Sequence, residues 1–240
     1  TGRRRALGRD ALRREVACVA RALRGMGVGP GDRVAGFLPN APETVVAMLA
    51  TASLGGVWSA CSPDFGIDGL RDRLGQIGAK VLFATDGYRY NGKPIDTLPR
   101  VRALCGELAE LEHLVLVPNA DEQAARAAFP DAAVYADLLD ADAALTFTPV
   151  PFAHPLYILY SSGTTGVPKG IVHGVGGTLI QHLKEHALHT DVKPGDVVFY
   201  FTTCGWMMWH WLVSSLASGA TLLLYEGAPF HPGPEHLWRI

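Results

Sequence analysis

Pro30-Gly31-Asp32-Arg33-Val34 returns as Pro194-Gly195-Asp196-Val197-Val198, 164 positions later, and at the same offset Gly55 falls on Gly219. Each copy runs from a PGD turn through a short apolar stretch, a helical pattern of about 14 residues and a Gly-marked turn into a second apolar stretch. That order is a βαβ unit, in which the helix carries the chain back so that two strands lie parallel. PGD alone is a common turn, and the matched glycine downstream is what makes the pair a duplication. The sequence therefore predicts an α/β protein of two stacked βαβ lobes with largely parallel sheets.

The second copy contains 29 residues, 197–225, without a single Asp, Glu, Lys or Arg. That is long enough to cross a bilayer. Thr202, Thr203, Ser214, Ser215, Ser218 and Gly219 interrupt it, however, and the first copy carries Arg33 and Glu43 in the equivalent stretch. A membrane span tolerates such charges poorly, so the stretch reads as a buried strand, a helix and a returning strand of the second lobe. Outward from the repeat, strands are predicted at 33–38, 57–60, 80–84, 113–117 and 156–160, with helices at 10–24, 41–54, 68–77 and 97–111. Residues 118–153, rich in Ala and Asp, read as a weakly ordered connection with a short helix. They mark the expected lobe boundary, with 1–150 as the first lobe and 151–240 as a phosphate-loop segment and an incomplete second lobe.

Composition fits a globular chain: of 240 residues 48% are hydrophobic and 18% charged, with 21 basic against 23 acidic residues and a net charge of −2. A disordered chain and a small secreted scaffold are both excluded, since a core this size buries roughly 70% of the unfolded surface without disulfides. Cys18, Cys61, Cys105 and Cys204 are too widely spaced for a CxxC pair, which favours a reducing, cytoplasmic setting. Nine of the 21 basic residues fall within the first 33 positions. No aromatic residues interleave with them, so Arg13, Arg14, Arg21 and Arg24 read as the solvated face of a helix and not as a nucleic-acid arm. There is no initiator Met and no apolar segment behind the basic run, so a signal peptide is not visible.

Chemistry concentrates in one segment. Tyr157-Ile158-Leu159-Tyr160 leads into Ser161-Ser162-Gly163-Thr164-Thr165-Gly166-Val167-Pro168-Lys169-Gly170. A strand feeds a loop with flexible glycines, four hydroxyls able to donate to anionic oxygens and one Lys as a point charge. Such a loop suits phosphate. It lacks Walker A spacing, because the Lys follows Pro168 and no hydroxyl residue comes next. A P-loop kinase, and Mg²⁺ held by a P-loop Ser/Thr, are accordingly not expected.

The segment resembles the phosphate-binding signature of the adenylate-forming superfamily of acyl-CoA synthetases, luciferases and peptide-synthetase adenylation domains. His154-Pro155-Leu156, Gly170-Ile171-Val172-His173-Gly174, Thr202-Thr203-Cys204-Gly205-Trp206-Met207-Met208-Trp209 and Val57-Trp58-Ser59-Ala60-Cys61-Ser62-Pro63-Asp64-Phe65-Gly66 are similar to its acetoacetyl-CoA synthetase branch. The likeness runs from about residue 10 to 230. It departs at three places: His210 stands where Asn is usual, Tyr157 where Trp is usual, and Cys204 where a hydroxyl residue is usual.

The resemblance implies the front part of the large domain of a ligase that converts ATP, acetoacetate and CoA into AMP, pyrophosphate and acetoacetyl-CoA, with Mg²⁺ as activator. Thr164, Thr165 and Lys169 would be catalytic, and Ser161, Ser162, Gly163 and Gly166 would join them around the ATP phosphates. Arg89 and Lys93, in the turn after the strand at 80–84, would meet the phosphates of CoA. Gly205, Trp206, Met207, Met208 and Trp209 would wall the acyl pocket, with Gly205 letting the acid approach the backbone; they follow a strand's carboxyl end, where open α/β sheets bind ligands. Another short acid such as acetate or propionate, or a non-catalytic nucleotide-binding module, are the alternatives. His182, His186 and His189 fall on one helical face at a spacing that could ligate zinc; without an adjacent acidic or cysteine partner they read as a packed or solvated face, and no metal site is expected.

Later adenine- and ribose-binding motifs, a hinge and a small C-terminal domain with its catalytic Lys have no counterpart here. The C-terminal portion of the same enzyme is then the expected partner, covering apolar surface around Trp238 and Ile240. The isolated chain is expected to bind ATP weakly and to transfer acyl groups negligibly. ATP–pyrophosphate exchange measures this, and turnover near that of an intact ligase would refute it.

Overall fold

The computed structural model describes residues 4–140, 142–161 and 166–240. The chain runs α1 (Arg9–Gly25), β1 (Arg33–Phe37), α2 (Pro42–Ser53), β2 (Val57–Cys61), α3 (Ile67–Leu74), β3 (Val81–Thr85), β4 (Gly87–Tyr90), β5 (Lys93–Asp96), α4 (Leu98–Glu107), β6 (His113–Val117), α5 (Glu122–Ala128), β7 (Ala133–Val134), β8 (Pro155–Ser161), β9 (Lys169–Gly174), α6 (Val175–Lys184), β10 (Val197–Phe199), α7 (Met207–Ser214) and β11 (Thr221–Leu223). Seven strands form one sheet in the order β7-β6-β3-β1-β2-β8-β9, parallel except for the β8–β9 pair. A parallel pair β10–β11 and an antiparallel hairpin β4–β5 stand apart from it.

Apolar runs without alternation are what a sheet covered on both faces requires. Successive residues of β3 divide accordingly. Val81 and Phe83 pack with Val19, Leu23 and Val46 of α1 and α2, while Leu82 and Ala84 pack with Leu70, Leu74, Val101 and Leu104 of α3 and α4. Burying each such Leu contributes about 2 kcal/mol relative to exposure.

The duplication holds down to individual hydrogen bonds. Gly31 N–H donates to Gly55 C=O at 2.9 Å, and Gly195 N–H donates to Gly219 C=O at 3.1 Å. The Asp32 carboxylate accepts from Gly29 N–H and that of Asp196 from Lys193 N–H, both at 2.8 Å. Gly55 and Gly219 have φ of +72° and +79°, a region costly for residues bearing a Cβ.

Several expectations are corrected. Residues 118–153 hold the expected short helix, α5, capped by the Asp121 carboxylate accepting from Ala124 N–H at 3.0 Å, but in place of a weakly ordered connection they also supply β7, paired to β6. At two residues, β7 is too short for periodicity to reveal. The strand opening the uncharged stretch, β10, is not buried: Val197 is 65% exposed, because among the described residues only one face of the two-stranded sheet is covered, with Leu222 packed against the core. Helix α4 stops at Glu107, short of the expected 111. Apart from these corrections, the seven-stranded sheet includes β8 and β9, which lie beyond residue 150.

Asp86, buried behind β3, accepts backbone N–H donors from Asn119 (2.6 Å), Ala120 (3.1 Å) and Asp121 (2.6 Å). These bonds tie the root of the β4–β5 hairpin to the start of α5. Asp86→Ala leaves three part-buried N–H donors without their acceptor and is expected to cost about 2 kcal/mol. A thermal melt unchanged from wild type would contradict the assignment.

Candidate functional site

Parallel strands bring their carboxyl ends to one edge, where the chain turns away and leaves room for a ligand. The segments following β1, β2, β3 and β8 all leave this edge. Ser162, Gly163, Thr164 and Thr165, the centre of the expected phosphate loop, lie outside the described residues. Their flanks are placed. Ser161 ends β8 and pairs with Lys169, which opens β9, and Tyr160 pairs with Gly170. The loop therefore closes a β-hairpin and does not lead into a helix. No helix N-terminus directly follows it, and Lys169, at the start of β9, is exposed. Gly166 has φ of +96°, as the expected glycine role requires. Three bonds hold the hairpin root: Tyr160 O–H to Arg73 C=O at 2.7 Å, Ser59 Oγ to Ile158 C=O at 2.8 Å, and Gln76 Nε2 to Pro168 C=O at 2.9 Å.

Helix α7 divides the expected acyl-pocket residues between two faces. Trp206 is 61% and Met207 45% exposed. Met207 and Met208 look into an open groove of about 820 Å³ that Trp211, His182 of α6 and Val197–Tyr200 also line. Trp209 points the other way. It is fully buried, and its Nε1 donates to Asn40 Oδ1 at 2.8 Å. Gly205 packs closely on the end of β2, where a Cβ would stand 3.2 Å from the Ala60 carbonyl oxygen. Trp211, one turn beyond Met207, was missed by the sequence reading. Asn40, 169 positions from Trp209, carried no local signal.

Two of the three departures from the resemblance touch. The Tyr157 ring lies 4.2 Å from that of His210 and 5.0 Å from that of His173, centroid to centroid. His210 Nδ1 sits 3.1 Å from the Trp206 carbonyl, an acceptor, so this nitrogen carries the proton. Burial pulls the His210 pKa down to about 3, so the ring is neutral at pH 7. Cys204, the third departure, is buried with Sγ 2.9 Å from Leu38 C=O. Burial holds its thiol well above the ordinary range and pushes Cys61 up to about 12, so neither is a nucleophile at neutral pH.

The remaining expected groups are also placed. Arg89 and Lys93 lie on β4 and β5, exposed on the hairpin that follows β3. His182 Nδ1 bonds Ser214 Oγ at 2.8 Å and His186 Nε2 bonds Trp211 C=O at 3.0 Å, while His189 is exposed. Residues 185–189 form a π-helical turn, which shifts the phase of the histidine face. Among the described residues no group of three His, Cys, Asp or Glu is arranged to hold a metal ion, and no helix is long and apolar enough to cross a membrane.

Known proteins share this sequence and fold. An acetoacetyl-coenzyme A synthetase of Rhizobium meliloti (strain 1021) is 55% identical over 226 residues, covering 93% of this chain and 34% of the relative. A malonamoyl-CoA synthetase of Penicillium aethiopicum is 45% identical over 237 residues, covering 93% of this chain and 32% of its own length. The structure of an acetoacetyl-CoA synthetase from Streptomyces lividans superposes with a TM-score of 0.91 at 46% identity, over 98% of this chain and 36% of that one. The chain thus spans about a third of the length of the relatives it matches. The family described as AMP-binding enzyme matches residues 3–240, nearly the whole chain, and the chain belongs to that family.

Proposed function

We propose that this chain is the front part of the large domain of an AMP-forming acid–thiol ligase that activates acetoacetate and passes it to CoA. The placement of the phosphate-loop hairpin and the α7 segment in a fold shared with an acetoacetyl-CoA synthetase is what supports this. Residues 1–150 are then the first lobe and 151–240 the phosphate-loop segment and the opening of the second. Acetoacetate and malonamate, the acids implied by the relatives' names, both carry a carbonyl on the carbon two removed from the carboxylate. A short acid with that 3-carbonyl is the proposed substrate class, and acetoacetate the first choice within it.

In the first step a carboxylate oxygen attacks the α-phosphorus of MgATP in line, and the bond to pyrophosphate breaks with its electron pair leaving on pyrophosphate. An anion must approach a polyanion, so donors aimed at the phosphates carry most of the catalysis. Ser161, Ser162, Thr164 and Thr165 would donate hydroxyls, Gly163 and Gly166 would let the backbone close on the phosphates, and Lys169 would add charge. In the second step the CoA thiolate attacks the acyl carbon and AMP leaves. Arg89 and Lys93 would meet the CoA phosphates, and Met207 and Met208 would wall the acid. The cell's cytoplasm is the proposed setting.

A substrate panel on the full-length polypeptide tests this. Acetoacetate-dependent ATP–pyrophosphate exchange is expected to exceed that with acetate or propionate by at least tenfold in kcat/KM, about what one favourable polar contact supplies. Preference for plain acetate would overturn the choice of acid, and nucleotide binding without exchange would leave a non-catalytic module.

A further inference from the structure

Asn40 follows β1 in a Pro-Asn turn, and its side-chain amide and backbone N–H reach the second half of the chain. Its Nδ2 donates to Thr202 C=O at 3.3 Å and to Tyr225 C=O at 3.2 Å. Oδ1 accepts from Trp209 Nε1 at 2.8 Å, and its backbone N–H donates to the Glu226 carboxylate at 2.7 Å. An amide side chain has two N–H donors and one carbonyl, and each is engaged. Next to it, Leu38 C=O meets Cys204 Sγ. The same short turn therefore holds the segment entering α7, the helix itself and the segment leaving β11.

We infer that Asn40 is a positioning residue for acid selectivity, fixing the rotation of α7 through Trp209 and so deciding where Met207 and Met208 stand. This rests on the ligase reading above. Successive helical residues differ by about 100° around the axis, and the helix turns as one body. Trp209 and the groove-facing Met207 and Met208 are thus coupled by geometry, although Asn40 does not itself line the groove. Trp209 Nε1 is enclosed, so an indole deprived of Oδ1 must turn to find another acceptor, and the methionines move with it.

The test uses the full-length polypeptide with Asn40→Ala, Trp209→Phe and the double variant. Trp209→Phe keeps an aromatic ring in the core while removing the donor together with part of the indole, so the question stays answerable if Asn40→Ala folds poorly. The acetoacetate-to-acetate ratio of kcat/KM is expected to fall about tenfold in either single variant and no further in the double, with KM for MgATP unchanged. A purely structural role lowers activity on both acids alike. A ratio within twofold of wild type in both single variants overturns the inference, and so does a fall confined to Trp209→Phe, which would mean that the indole acts without Asn40. A wild-type enzyme that makes no adenylate from acetoacetate overturns the ligase reading and this inference together; a competent wild type with unchanged variants overturns the inference alone.

Discussion

Lys169→Ala in the full-length polypeptide is expected to lower acetoacetate-dependent ATP–pyrophosphate exchange by about 10²- to 10³-fold, the usual consequence of removing one preorganised donor from a developing charge. Lys169 is the first residue of β9, held by its backbone against Ser161, with its side chain exposed. Removing the ammonium leaves that pairing intact, so the melting temperature should stay close to wild type, as for other exposed substitutions of about 0.5 kcal/mol or less. Charge at this place has no substitute directly after the loop, because the chain continues as a strand and supplies no helix dipole. Lys169→Arg should restore part of the rate, since the charge returns on a planar group of different reach. Exchange unchanged in Lys169→Ala would remove the loop from the mechanism, whatever the fold.

The backbone frame was legible because its signals are local. PGD turns, matched glycines and apolar runs placed β1, α2 and β2 within about a residue and announced β10, α7 and β11 by homology with them. β9 was missed because Gly170-Ile171-Val172-His173 lies exposed at the sheet edge, where burial imposes no alternation. The hairpin β4–β5 was read as a charged turn because its strands are four residues each and largely polar. For the candidate site, sequence located the helix α7 and could not orient it. Met207 to Val213 is apolar on every side apart from His210, so nothing distinguished Met207, Met208 and Trp211, which face the groove, from Trp209, Leu212 and Val213, which face the core. Orientation came from contacts across more than 160 residues, Asn40 with Trp209 and Leu38 with Cys204, and such contacts leave no periodicity to read.

The contact between Tyr157 and His210 gives the second large effect, this time on stability. His210 is enclosed by the Tyr157 ring, the Trp206 carbonyl and the edge of Trp209, with His173 and His182 as the nearby titratable groups. Burial, reinforced by those two histidines, holds its pKa at about 3 against 6.5 in an open chain. Between these values the unfolded chain carries the proton and the folded protein does not, so stability falls as pH falls below about 6.5, by about 1.4 kcal/mol per pH unit. From pH 6 to pH 4 that amounts to roughly 3 kcal/mol, a large share of what a domain possesses. His182, drawn down to about 4 by burial, acts in the same direction, whereas Glu226, raised by burial, loses stability as pH rises through its own range. His210→Asn isolates one contribution among these. The variant forfeits the ring contact at every pH, so it should melt below wild type at pH 7. As the pH is lowered from 6.5 to 4, its melting temperature should rise relative to wild type by roughly 6–12 °C, at 2–4 °C per kcal/mol for a chain of this size. A difference between the two proteins that stays constant across that range would mean that His210 takes up its proton without unfolding the core, and that the seat beside Tyr157 accommodates a charged ring.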